Sequence, residues 1–403
     1  MEKDRGIRIP FTLFTVKKDA ANALPLAVVM VVLFPFFVTN LLTMSLYLFI
    51  ALFFFLHSAK ILVPRELLIT AGIMLLGVLI MAYSYDTESI MTVSVPPIPH
   101  SNVVSNSMFL TSAIGFVVFI QGYLYSFIVR RPLSLLKYIF LYAWALVGIY
   151  FIVAYGFFTD NALMLGHITV ILIPYMYLVF EERPRLRFIF SVIVLSYLMS
   201  ISCRTAFMAA SFFFVTYFLY PYLVFDKVRY RFFFLFFMTL IFLSMAIYLL
   251  SGFGFLDELS KMYFGKPLRS GRETIWPELF TYILDKPLFG YGINQDSGYF
   301  QSASAILKFR GLDSHNIYLE MLVRGGIVLL SFFMVLFYRI WGSFYSRKRN
   351  AMSRIAASGF ISFLFLGAGL PIGLTGHIVL NSLLWFYWGV ASGSSWIHNR
   401  APR

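Results

Sequence analysis

Two arginines and one histidine of this sequence are of types that can act on phosphate and hydroxyl groups. Arg204 lies in the short segment Ser-Cys-Arg-Thr-Ala at 202–206, Arg272 follows a glycine, and His315 precedes an apolar stretch. A guanidinium group keeps its proton and donates paired hydrogen bonds, so it suits a diphosphate. An imidazole titrates near neutral pH and can take a proton from an alcohol. We therefore predict binding of an anion by the arginines and activation of a hydroxyl by the histidine.

A second arginine, Arg269, lies three residues before Arg272, with Ser270 and Gly271 between them. On a helix the two arginines share a face, and in a loop the glycine lets the backbone approach a ligand. The other interpretation is that both are solvated loop charges, with Arg272 paired to Glu273. For Arg204 too, a simpler interpretation is an interfacial arginine whose stem lies in the membrane.

A polar stripe follows His315, because Asn316, Glu320 and Arg324 recur at four-residue spacing. In a membrane helix such a stripe has to face a cavity or a partner helix. The alternative is that the Asp-Ser pair before His315 caps the helix while Glu320 and Arg324 neutralise each other. The spacing leaves both interpretations open.

The composition places these residues in a membrane protein. Of 403 residues 60% are hydrophobic and 12% are charged, with a mean hydropathy of +0.82, whereas a soluble domain carries roughly 25% charged residues. The single cysteine, Cys203, excludes a disulfide framework. The sequence has no His/Cys cluster at metal spacing, no Asp-x-Asp pair and no Gly-rich phosphate loop, so we expect neither a metal nor a cofactor. Phosphate charge then has to be neutralised by arginines.

Twelve apolar segments approach the length of about 20 residues that crosses a bilayer. They predict an all-α polytopic helix bundle with one large outer loop that contains a short helix. The segments are 23–40, 41–57, 67–84, 108–129, 135–157, 162–180, 188–203, 206–225, 232–250, 317–338, 355–374 and 378–396.

The net charge of +14 is explained by the orientation of these helices. If the N-terminus is cytoplasmic, 23 of the 32 Lys and Arg residues fall in inner segments. The outer loops near 40, at 85–107, near 160 and at 371–377 contain no Lys or Arg. This distribution predicts cytoplasmic termini by the positive-inside rule, and it makes a nucleic-acid partner unnecessary. The inner segments are 1–22, 58–66, 130–137, 181–187, 226–231, 339–354 and the tail after 396.

Residues 251–316 form the long outer loop, which divides helices at 1–250 from those at 317–403. Its aromatic content argues for an ordered loop. Within it Trp276, Leu279, Phe280 and Ile283 have the spacing of one helix face, which predicts a short interfacial helix. We expect Thr274 to cap that helix, because the competing start at Ser270 and Glu273 puts Pro277 in the helix interior. Asp285, Pro287, Gly290 and Gly292 then mark the turn that ends it.

The remaining histidines are weaker candidates. His57 and His398 fall in predicted cytoplasmic segments, His100 and His167 are expected to pack as polar residues, and His377 lies in the last outer connection.

The layout resembles the O-antigen polymerase and O-antigen ligase superfamily of bacterial inner-membrane glycosyltransferases. About a dozen spans, the Ser-x-Arg-Thr-Ala turn and one large periplasmic loop are shared features. The motif-bearing part covers about residues 200–330. Its further motifs are Gly271-Arg272 with Trp276, Pro-Leu-Phe-Gly-Tyr-Gly at 287–292, and Ser-His-Asn-x-Tyr-Leu at 314–319 with Gly326.

The resemblance implies a GT-C-like membrane enzyme that transfers a glycan from undecaprenyl diphosphate to an acceptor hydroxyl on the periplasmic side, without a metal. Arg204 and Arg272 then hold the diphosphate as it leaves, and His315 holds or deprotonates the acceptor hydroxyl. The aromatic loop residues line the sugar path. The candidate substrate-binding residues are Arg269, Trp276, Tyr291, Asn316, Glu320 and Arg324.

Polymerase is favoured over ligase because Leu329 stands where the ligase branch commonly has the second glycine of Gly-x-x-Gly. The acceptor is then a glycan for a polymerase or lipid A-core for a ligase. A chain-length regulator and a flippase of the same pathway are expected partners. A carrier, the lipid-linked oligosaccharide flippase, is an alternative of another class. It requires charges deep in the spans, two similar halves and short outer loops, none of which this sequence has.

Overall fold

The computed structural model describes residues 65–86, 112, 115–126, 162–250, 254–265, 272–290, 316–346, 351–368 and 378–400. Within these ranges every regular element is a helix, which confirms the all-α class. We number the eleven helices in chain order. They are α1 Arg65–Asp86, α2 Gly115–Ser126, α3 Ala162–Val179, α4 Pro184–Ser200, α5 Arg204–Leu223, α6 Lys227–Leu250, α7 Gly254–Phe264, α8 Arg272–Asp285, α9 Ile317–Ser343, α10 Ala351–Gly367 and α11 Ile378–Arg400.

Nine of the twelve predicted spans contain a helix, and the other three, 23–40, 41–57 and 135–157, lie outside the described residues. Among the described helices three are long and apolar enough to cross a membrane on their own: Arg204–Leu223, Lys227–Ala246 and Ile317–Ser343. The number of twelve spans therefore stays a prediction. Several helices extend beyond their apolar segment, because a helix continues into polar flanking residues that hydropathy does not register.

Helices α5 and α10 form the tightest helix pair. Ser362 Oγ donates to the carbonyl oxygen of Ala209 at 2.7 Å, and Arg354 Nε donates to that of Tyr217 at 2.6 Å. The two bonds define one antiparallel register. Small residues allow the two backbones to approach, as is common between helices in membranes. The fully buried alanines at this contact are Ala206, Ala209, Ala210, Ala356 and Ala357.

The glycines of α2 and α11 allow a second close helix contact. A Cβ on Gly122 would overlap the carbonyl oxygen of Phe386, and one on Gly389 would overlap that of Phe119. Trp385 and Trp388 of α11 are fully buried beside this crossing, with their ring centroids 5.3 Å apart. Aromatic packing thus fills the core while glycines set the distance between helices.

One end of the bundle gathers the segments that the charge pattern assigns to the inner side. Glu66 of α1, Lys227 of α6, Arg339 of α9 and Asn399 of α11 line one cavity of about 150 Å³. Asn399 Nδ2 also donates to the carbonyl oxygen of Tyr345 at 2.8 Å. One end of each of these four helices therefore lies at the same end of the bundle.

The outward faces of α4, α5 and α6 are apolar and exposed, as expected of helices that contact lipid. Phe188 and Phe218 are 69% and 62% exposed, and Phe232 is 65% exposed. These faces add to the evidence for a membrane protein.

The described residues of the predicted outer loop form two helices, α7 and α8, where the sequence predicted one. The predicted apolar face is confirmed, since Trp276, Leu279 and Ile283 are buried where α8 packs on α9 and α6. The expected start at Thr274 is wrong, because α8 begins at Arg272 and contains Pro277. Burial of the apolar face outweighs the hydrogen bond that proline removes. The end at Asp285 agrees with the predicted turn.

Candidate functional site

Arg204 is the first residue of α5 and contacts the outer loop. The turn before it, residues 201–203, includes Ser202 with a positive φ of 54°. Arg204 Nη1 donates to Ser260 Oγ of α7 at 3.1 Å, and Ser260 is buried. The rings of Phe207 and Phe264 pack edge to face at 5.6 Å beside this bond. The start of α5 thus holds α7 in place.

Cys203, the residue before Arg204, packs against His167 of α3. Cys203 Sγ lies 3.4 Å from His167 Nε2, and both residues are buried. The Cys203 side chain is 2% exposed, so its thiol is shielded from solvent and from dissolved reagents. The polar packing expected for His167 agrees with this contact.

Asn316 is the N-cap of α9. Its Oδ1 accepts from the backbone N–H groups of Tyr318 at 2.9 Å and Leu319 at 3.1 Å. Its Nδ2 donates to the carbonyl oxygen of Ala368 at 3.0 Å. The alternative in which the Asp-Ser pair before His315 supplies the cap is therefore wrong. An Asn acceptor with extended backbone satisfies two N–H groups at the helix start.

The bond from Asn316 to Ala368 brings the start of α9 close to the start of α5. The register of α5 and α10, set by the Ser362 and Arg354 bonds, continues six residues to Ala368 at the level of Cys203. Arg204 and Asn316 consequently lie at the same end of the bundle, opposite the cavity lined by Lys227 and Arg339.

Glu320 and Arg324 form a buried ion pair one turn apart on α9. Arg324 Nε lies 2.8 Å from Glu320 Oε2, and the two side chains are 11% and 4% exposed. The interpretation in which they neutralise each other describes this contact. Their assignment to substrate binding stays a prediction.

The turn that follows α8 docks into a kink of α9. Gly326 has φ 61° and ψ −162°, a backbone conformation open only to glycine, and interrupts the helix. The backbone N–H groups of Ile327 and Val328 donate to the carbonyl oxygens of Pro287 at 2.8 Å and Leu288 at 3.2 Å. A Cβ on Gly326 would overlap the Leu288 carbonyl.

Gly290, in the turn after α8, also lies against the backbone of α9. Its φ is +64°, and a Cβ there would lie 2.5 Å from the carbonyl oxygen of Val323. Two features of the sequence, the Pro-Leu-Phe-Gly turn at 287–290 and Gly326 of α9, thus meet backbone to backbone. The sequence singled out both but did not predict that they touch.

The other predicted site residues are described in part or not at all. Trp276 is buried in the face that α8 turns to the bundle. Arg272 is the first residue of α8, and its side chain lies outside the described part. His315, Arg269 and Tyr291 also lie outside the described residues. Among the residues that are described, no group of three or more His, Cys, Asp or Glu side chains is arranged to hold a metal ion.

Residues 188–334 match the sequence model of the family described as O-antigen ligase. The matched range runs from the first turns of α4 into the second half of α9, so it includes the outer loop and all the candidate residues. A comparison with curated proteins gave no match. Over residues 188–334 the protein is therefore similar to the O-antigen ligase family, and its apolar helices are those of a membrane protein.

Proposed function

We propose that this protein polymerises lipid-linked O-antigen-type repeat units by transferring a glycan from undecaprenyl diphosphate to an acceptor sugar hydroxyl at the periplasmic face of the bacterial inner membrane. The observation that carries the proposal is the family domain at 188–334, because it encloses Arg204, Arg272 and His315. The family implies lipid-linked glycan substrates. The acceptor and the partner proteins, a chain-length regulator and a flippase, are part of the proposal.

The proposed topology has twelve transmembrane helices in a GT-C-like bundle, with both termini in the cytoplasm and residues 251–316 as the periplasmic loop. The domain division at 1–250, 251–316 and 317–403 follows from it. The grouping of Glu66, Lys227, Arg339 and Asn399 at one end supports this arrangement, and Arg204 and Asn316 at the opposite end support it too.

The proposed mechanism uses three residues at or beside helix starts. Arg204 and Arg272 are the first residues of α5 and α8, where the helix dipole also favours an anion. They bind the diphosphate and stabilise the charge that it gains as its bond to the anomeric carbon breaks. His315 precedes the N-cap of α9 and takes the proton of the acceptor hydroxyl, whose oxygen forms the new bond with inversion.

The neighbouring residues orient these groups. The bond to Ser260 limits the rotamers of Arg204. Asn316 fixes the backbone beside His315 through its bonds to the start of α9 and to Ala368. We propose that Arg269 contributes charge to the diphosphate site, that Trp276 and Tyr291 border the sugar path, and that Glu320 and Arg324 shape its wall as an ion pair.

Polymerase is the favoured activity, and ligation to lipid A-core is the second candidate. The favouring observation is Leu329, which is fully buried and packs beside Gly325 in the kinked part of α9. Leu329 therefore fills the space that the second glycine of the ligase motif would leave open at this position. A flippase is the candidate of another class, and the long loop at 251–316 argues against it.

The test is the banding of surface polysaccharide in a deletion strain complemented with variants. We expect Arg204→Ala, Arg272→Ala and His315→Ala to abolish long-chain glycan while the protein stays inserted. Lys261→Ala is the matched control, because Lys261 is an exposed loop cation paired with Glu258 at 3.1 Å, and it should keep the wild-type ladder.

The deletion strain distinguishes the candidate functions. One repeat unit on the core supports a polymerase, and bare core with accumulated lipid-linked polymer indicates a ligase instead. Accumulated cytoplasmic-face intermediates indicate a flippase. Normal ladders in all three alanine variants would contradict the proposed site.

A further inference from the structure

A pair of arginines flanks one tyrosine ring at the end of the bundle opposite Arg204. The guanidinium carbon of Arg354 lies 3.7 Å from the ring centroid of Tyr217, and that of Arg187 lies 5.6 Å from it. Arg187 Nη1 also donates to the Tyr217 hydroxyl. Ser191 Oγ, which donates to the carbonyl oxygen of Arg187 at 2.7 Å, lies 2.7 Å from the Tyr177 hydroxyl. We call Arg187, Arg354 and Tyr217 the arginine cluster.

The arginine cluster has no counter-charge among the described residues. Neither Arg187 nor Arg354 lies within 4.0 Å of a carboxylate in that part of the chain, although both are half-buried. Two guanidinium groups beside one ring repel each other, and removal from water makes that repulsion stronger. An anion placed between them relieves it, whereas the neighbouring charges of Glu181, Glu182, Arg183 and Arg185 cancel one another.

The surroundings of the arginine cluster match a lipid better than a soluble anion. Phe188 directly follows Arg187 on α4 and faces outward, as do Phe218 and Tyr222 on α5, each at least 62% exposed. The ring of Phe218 lies 5.8 Å from that of Tyr217. The charges thus border an apolar face at the level where a span ends and headgroups begin. Juxtamembrane basic side chains of this kind attract anionic lipid.

We propose that the arginine cluster binds the phosphate of an anionic phospholipid, whose acyl chains lie along the exposed aromatic face of α4 and α5. In the proposed topology this site is in the cytoplasmic leaflet. It is separate from the diphosphate site at the opposite end, so a failure of the catalytic proposal leaves it unaffected. The bound headgroup links α4, α5 and α10 at their inner ends.

The experiment titrates the purified, delipidated full-length protein with phosphatidylglycerol or phosphatidylcholine and counts bound lipids by native mass spectrometry. We expect wild type to bind phosphatidylglycerol about 30-fold more tightly than phosphatidylcholine, the factor for two charges near a membrane surface. Arg187→Gln/Arg354→Gln should remove that preference, and Arg187→Gln alone should lower it about fivefold. Inorganic phosphate is added as a competitor to test for a soluble ligand.

The matched control is Arg231→Gln, because Arg231 also lies over a tyrosine ring, at 5.8 Å from the centroid of Tyr338, and no second arginine of the described residues lies over that ring. It should keep the wild-type preference. The proposal is wrong if wild type shows no preference, if the single and double variants keep it, or if the control loses it equally. Displacement of phosphatidylglycerol by inorganic phosphate would also overturn it, since the ligand would then be a free anion. If the double variant does not fold, Arg187→Gln alone decides, because an unchanged preference in that variant would contradict the proposal.

Discussion

Position 326 requires glycine because two backbones meet there. We expect Gly326→Ala to destabilise the protein by at least about 3 kcal/mol, since the side chain adds a disallowed φ to an overlap with the Leu288 carbonyl. Gly342→Ala is the matched control on the same helix, because nothing lies within 4 Å of its Cβ, and it should be neutral or stabilising by about 0.5–1 kcal/mol. The measurement is the unfolding midpoint in detergent. Equal midpoints for the two variants would refute the docking contact.

Substitutions of Glu320 and Arg324 can show whether this ion pair stabilises the fold or also binds substrate. Glu320→Gln removes the carboxylate that lies 2.8 Å from Arg324 Nε, and we expect a loss of about 3–5 kcal/mol, as for other broken buried pairs. Glu320→Gln/Arg324→Gln should lose less than either single change. Additive losses in this double-mutant cycle would mean that the two do not interact. A double variant that folds but makes no long-chain glycan would assign the pair to the substrate site.

The burial of Cys203 can be tested by labelling its thiol. Because its side chain is 2% exposed, the folded thiol should react with iodoacetamide at least about tenfold more slowly than the thiol of the unfolded chain. Cys203→Ser should remove the labelling. Equal rates with and without denaturant would show an accessible thiolate.

At the scale of helices, Asn316 has two roles that substitution can separate. Asn316→Ser keeps a helix cap but loses the bond to Ala368, whereas Asn316→Ala loses both. We expect unfolding midpoints in the order wild type, Asn316→Ser, Asn316→Ala, with about 0.5–2 kcal/mol for the cap alone. The measurement is thermal unfolding in detergent, with polysaccharide banding as the functional readout. Identical midpoints for the serine and alanine variants would contradict a capping role.

Hydropathy predicted the helices well, and their ends less well. The apolar face of α8 followed from the spacing of Trp276, Leu279 and Ile283, which is a local property. Its start did not follow, because packing on α9 and α6 decides whether Pro277 can be accommodated. Helix α7 was missed, since its amphipathic sequence around Ser260 is too short and too polar to stand out by hydropathy.

At the scale of the whole molecule, the orientation can be tested with introduced cysteines. Met262 of α7 is 76% exposed, and the side chain of Arg229 at the start of α6 is 77% exposed. In a Cys203→Ser background we expect a membrane-impermeant maleimide to label Met262→Cys in intact spheroplasts and Arg229→Cys only after permeabilisation. Both should label equally in detergent, which controls for reactivity. The reverse pattern would overturn the proposed topology.

The charge pattern predicted that inner segments meet at one end, and the cavity lined by Lys227 and Arg339 agrees with it. The motif residues Arg204, Gly290 and Gly326 were also found from the sequence. Their contacts were not, because the partners, Ser260 and the backbone of residues 287–288, are distant in sequence. Which carbonyl reaches which glycine is a property of the assembled fold.

The docking of residues 287–290 into α9 has a consequence for the order of assembly. In the kinked helix the amides of Ile327 and Val328 have their acceptors in that turn, and an unpaired amide in lipid costs several kcal/mol. The carbonyls of Pro287 and Leu288 therefore act as a cap supplied from another segment. We expect the kink of α9 and the turn after α8 to form together, so that α9 reaches its final shape only when the turn is in place.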